Sequence, residues 1–102
     1  MDIYTLRQAI LTALFQFRNP VRLESLQFHQ DVCGAFGKLV LSGSDMMLIR
    51  RELAELTAAG YTESIPGFPD WYKLSANLRL TMARDSSLDR KDPFLFGPGA
   101  LT

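Results

Sequence analysis

The chain has 102 residues, 47% of them apolar, and its 11 basic and 11 acidic side chains give a formal net charge of zero. That length suits one domain with one hydrophobic core, well above the roughly 40 residues below which disulfides or metals are usually needed. The charge balance is even along the chain up to Met82, which excludes a basic arm with strong non-specific affinity for nucleic acid but leaves room for a local patch. Cys33 is the single cysteine, so no intrachain disulfide forms and a cytoplasmic setting is expected. The opening MDIYTLRQAI passes from an acid straight into an amphipathic pattern, unlike a secretory signal. No window approaches the ~18 uninterrupted apolar residues of a membrane span, so no membrane partner is expected.

Leu6, Ile10, Ala13, Leu14 and Phe17 recur at helical spacing and predict a first helix over Thr5 to Phe17. Thr5 with Gln8 offers a capping box, and Asp2 is the rival start. Asn19-Pro20 ends the helix, because proline drives the preceding residue out of the helical region. Val21 to Leu23 reads as a short strand, and Leu23, Leu26 and Gln30 mark a second helix reaching Val32. Cys33 to Gly43 carries glycines at 34, 37 and 43, with Lys38 to Leu41 either a brief strand or an apolar loop. Ser44 or Asp45 then caps a third helix, in which Met46, Ile49, Leu53 and Leu56 form one buried stripe. Gly60 ends it in a left-handed conformation. Tyr61 to Ile65 is a strand, Pro66 to Asp70 a turn, and Trp71 to Leu74 the returning strand; Ser75 caps a final helix, Ala76 to Met82. Residues 1–83 thus form the domain, and residues 84–102 a polar linker followed by an apolar tail without a core of its own.

The run Ile49, Arg50, Arg51, Leu53, Leu56, Ala59, Gly60, followed by Tyr72-Lys73-Leu74-Ser75 on the returning strand, resembles the third helix and wing of the winged helix-turn-helix superfamily. The resemblance covers Thr5 to Leu80. It implies an α+β fold with a three-helix core, a two- to three-stranded antiparallel wing and, here, an extended C-terminal tail. It also implies a DNA-binding transcription regulator, with double-stranded DNA as partner and Arg50, Arg51 and Met47 on the helix that enters the groove. The residues themselves fit that use poorly. The first turn of the third helix is Asp45, Met46, Met47 and Leu48, where base-reading helices carry polar groups, and the wing tip from Pro66 to Asp70 has no Lys or Arg.

The function expected first is a DNA-binding regulator, because that use dominates the superfamily; the alternative is a protein-interaction module that holds a partner or a second copy of itself. For Arg50 and Arg51 the alternatives are phosphate contact or an ordinary soluble face paired to Glu55. Met46, Met47 and Leu48 cannot all face one core, so one of them meets the preceding loop or a partner. Tyr72 is expected to point inward with Leu74, which turns Trp71 to the other side beside Phe68, as an interface anchor or a local cluster. Phe94, Leu95 and Phe96 are expected to dock on apolar surface, either on their own domain or on a second copy in a homodimer. His29 and Cys33, four apart, fall short of the four ligands a zinc site needs, and the lone histidine has no nucleophile motif beside it. Gly34-Ala35-Phe36-Gly37 matches a GxxG clamp in spacing alone. No metal, cofactor or catalytic activity is expected.

Overall fold

The computed structural model describes residues 2–85 and 87–98, and over them the chain is an α+β domain. In chain order the elements are α1 (Ile3–Gln16), β1 (Val21–Arg22), α2 (Leu23–Leu26), α3 (Gln30–Phe36), α4 (Gly43–Ala58), β2 (Thr62–Ile65), β3 (Phe68–Leu74), α5 (Ala76–Asp85) and α6 (Pro93–Phe96). The three strands make one antiparallel sheet in the order β1-β3-β2. The sheet meets α1 through β3 and α4 through β2, with Leu74 in the core, while Leu6, Ile10, Leu14, Leu23, Leu26, Ile49, Leu53 and Leu56 form its centre.

The first helix starts from Asp2, the rival position. Its carboxylate accepts from the Tyr4 backbone at 3.0 Å and from the Thr5 hydroxyl at 3.0 Å, so Thr5 serves the cap instead of being it. At the other end, Arg79 of α5 donates to the carbonyls of Leu14, Phe15 and Phe17, satisfying groups a helix end leaves open.

The expected second helix is two. After Leu26 the next position on the apolar stripe is polar Gln30, and His29 interrupts the helix by accepting the Asp31 N–H at its Nδ1, 3.2 Å away. Gly37, at φ +67°, closes α3: Gly37 N–H donates to Gly34 and Lys38 N–H to Cys33, a Schellman closure. The segment from Lys38 to Leu41 is a loop, with Leu41 buried and Leu39 and Val40 in solvent.

The cap of α4 lies earlier than expected, at Ser42. Its hydroxyl accepts from Asp45 N–H while the Asp45 carboxylate accepts from Ser42 N–H, a capping box. Asp45 is thus the third residue of the helix and not its cap. Gly60 ends α4 as expected, at φ +88°, with Gly60 N–H on Thr57 and Tyr61 N–H on Leu56. The turn after β2 is shorter than expected: only Pro66-Gly67 intervene, and Pro69-Asp70 belong to a bulge where the register jumps from Ser64↔Tyr72 to Ile65↔Phe68. Asp70 takes the left-handed conformation there, at φ +70°. The last expected helix continues past Met82 to Asp85 and so takes in the start of the expected linker. Ser86 and the tail residues 99–102 lie outside the described residues.

Candidate interaction surfaces

Along α4, Met47, Arg50 and Arg51 lie three and four residues apart and share its exposed face. Met47 is 73% exposed, whereas Met46 and Leu48 pack at the edge of the core, so one apolar member of the run is left to solvent. Arg50 turns toward the β2–β3 hairpin. Its Nη1 lies 2.5 Å from Asp70 Oδ1, and this carboxylate raises the guanidinium above its ordinary pKa. The bulge at Asp70 is what aims that carboxylate at α4. Arg51 meets Glu52 at 3.3 Å, and the structure does not bring it to Glu55. Ahead of them Lys38 holds Asp45 at 2.9 Å. The Asp45 carboxyl lies below its usual range, chiefly through the Ser42 N–H and then through Lys38. Lys38 and Arg50 are therefore each matched by an acid, while Arg51 shares Glu52 with the buried Arg7.

On the outer face of the sheet, Ile65, Phe68 and Trp71 meet Asn19 and Pro20 around an open, apolar groove of about 320 Å³. Strand alternation produces it: Tyr72 and Leu74 pack toward the core, and Trp71, paired with Arg22 of β1, points away. Phe68 is 59% exposed. The two aromatic residues singled out in the sequence are thus brought together. Among the described residues β2 pairs only with β3, and no other strand lies on its outer edge.

The tail residues Phe94 and Phe96 lie elsewhere, packed at the edge of their own core, with Leu95 fully buried between them. Around them is a polar cluster that the sequence reading passed over. Arg7 and Glu52 are buried and meet at 2.7 Å, Nε to Oε1. Arg7 also donates through Nη1 to the Phe94 carbonyl at 2.9 Å and lies over the Phe94 ring, 4.1 Å from its centroid. Gln8 donates to the Leu95 carbonyl at 2.7 Å. Tyr61 stacks on Phe94 at 5.3 Å and donates its hydroxyl to Asp92, which caps α6. Burial, and then the Asp92 carboxylate, push the Tyr61 phenol up to about 12. One signal for this cluster was present: Arg7 adjoins the stripe of α1, and Glu52 stands on the stripe of α4 at the position between Ile49 and Leu56.

His29 and Cys33 do not form a ligand pair. His29 caps α3 and pairs with Gln16 at 2.8 Å, while the Cys33 thiol donates to the Gln27 carbonyl. Among the described residues, no group of three His, Cys, Asp or Glu is placed to hold a metal ion. The Gly34–Gly37 run offers no backbone clamp, because the N–H groups at 37 and 38 are spent inside the helix end. Among the described residues no helix is long and apolar enough to cross a membrane. Comparison with known proteins yields no match, either to a family model, to a curated protein or to a solved structure.

Proposed function

We propose that the chain is a winged-helix protein-interaction module of the cytoplasm, without enzymatic activity and with little or no affinity for DNA. The order of elements and the β1-β3-β2 sheet support the winged-helix reading, with α2 and α3 in place of a single second helix. The observation that carries the function is the groove of Ile65, Phe68 and Trp71 on the wing, where a DNA-binding wing would carry cations. Its occupant is an extended protein segment that runs beside the open edge of β2 and lowers an apolar side chain onto Trp71.

The regulator reading rests on Arg50 and Arg51 sharing one exposed face, and it requires Arg50 to exchange the Asp70 carboxylate for a phosphate. Fluorescence anisotropy of a labelled duplex at low salt separates the two readings. The interaction reading expects no saturable binding. Saturable binding, with a log affinity against log salt slope that flattens by about two units when both arginines are neutralised, would establish the regulator instead.

A further inference from the structure

The contacts around α6 have the character of a bound peptide more than of a continuous core. A helix of one turn has no stability of its own. Its two carbonyls at Phe94 and Leu95 are satisfied from outside, by the side chains of Arg7 and Gln8 on α1. Its ring at 94 is held between the Arg7 guanidinium and Tyr61, and Leu95 fills a hole in the core. Gly97, at φ +89°, lets the chain pass over the Tyr4 ring, where a Cβ would meet ring carbon at 3.3 Å. In the approach to this segment, residues 87–91, only Leu88 is half-buried, against the core. Ser87, Asp89, Arg90 and Lys91 are exposed, and a cavity of about 290 Å³ separates Ser87, Leu88 and Arg90 from Gln8, Thr12 and Phe15 of α1.

We infer that the cleft of Arg7, Gln8, Glu52 and Tyr61 is a peptide receptor, filled in cis by residues 92–97 and exchangeable with the same segment of a second copy. Recognition has a defined chemistry. An acid at 92 accepts from Tyr61, a proline starts the turn, an aromatic ring at 94 lies under Arg7, leucine enters the hole, and glycine clears Tyr4. Glu52 acts on the segment through Arg7, which it holds at 2.7 Å, so it is a positioning residue. This site is separate from the groove at Trp71, and it stands or falls independently of the proposed function.

The test uses the full chain with its own segment weakened by Leu95→Asp, titrated with a synthetic peptide of residues 89–98. Saturable binding and a dose-dependent rise of the thermal midpoint are expected. The same peptide carrying the Leu95→Asp change should do neither. Wild-type chain should bind the peptide at least about tenfold more weakly, because its own segment competes. A second full-length variant, Phe94→Ala with Phe96→Ala, empties the ring contacts while keeping Leu95, and it should bind the peptide as well. If neither variant binds it, the segment is an integral part of the core and the receptor does not exist.

Discussion

Arg7 and Arg50 each meet a carboxylate at hydrogen-bond distance, 2.7 Å to Glu52 and 2.5 Å to Asp70, yet they sit in opposite surroundings. Arg7 and Glu52 keep 10% and 3% of their side-chain surface, against 56% for Arg50 and 39% for Asp70. The Phe94 ring and carbonyl cover Arg7, and the exposed Arg51, 3.3 Å from Glu52, links the buried pair to the surface. The exposed pair can exchange its partner for solvent at little cost. The same chemistry therefore organises the core on one side of α4 and only trims the charge of a surface on the other.

The comparison breaks most visibly when one partner is removed. Arg7→Ala should destabilise the chain by up to roughly 3–5 kcal/mol, because it leaves the buried Glu52 carboxylate with only the exposed Arg51 as partner. Replacing both partners by apolar residues, Arg7→Met with Glu52→Leu, should recover most of that loss in urea unfolding. If the double variant is as weak as the single one, the pair does more than compensate its own desolvation. Leu53→Ala, beside Glu52 on the same stripe and fully buried, sets the apolar scale at about 2–5 kcal/mol. A loss well below that range would show that the core collapses into the hole.

A pH experiment sharpens the role of the segment that closes over Arg7. With its folded pKa near 12 against 10 unfolded, Tyr61 contributes stability that is fully present below pH 10 and lost as pH rises toward 12. Denaturation midpoints should fall over that window in wild type and fall less in Tyr61→Phe. Equal slopes would detach Tyr61 from the alkaline loss. The smallest effect belongs to the exposed pair: Arg50→Ala should change stability by about 0–1 kcal/mol, and less at high salt.

What the sequence made legible follows from local chemistry. The stripe of Leu53 and Leu56, the stop at Gly60 and the outward turn of Trp71 need only helix period, a left-handed glycine and strand alternation, and the structure has them all. The break at Gln27 to His29 was hidden because helix propensity does not register a histidine ring accepting a backbone N–H two residues on. The position of Ser42 as cap was hidden by a closer serine and aspartate, although Ser42 and Asp45 stand at capping-box spacing. The docking of the tail on its own domain, one of the two arrangements expected, depended on Arg7, Tyr61 and Glu52, which are distant in sequence from Phe94. A charge on each apolar stripe was the only local trace of that contact.

The groove of Ile65, Phe68 and Trp71 is the centre of the functional reading, and selection of peptides from a random library on the full chain tests it most directly, with Phe68→Asp run in parallel. Phe68 is exposed, so the substitution leaves the core intact. The expected result is enrichment of peptides with an apolar anchor that bind wild type and lose binding to Phe68→Asp, with the emission of Trp71, the only tryptophan, shifting to the blue on binding. Enriched peptides that bind both proteins equally, or no enrichment at all, would contradict the assignment of this groove as the partner site.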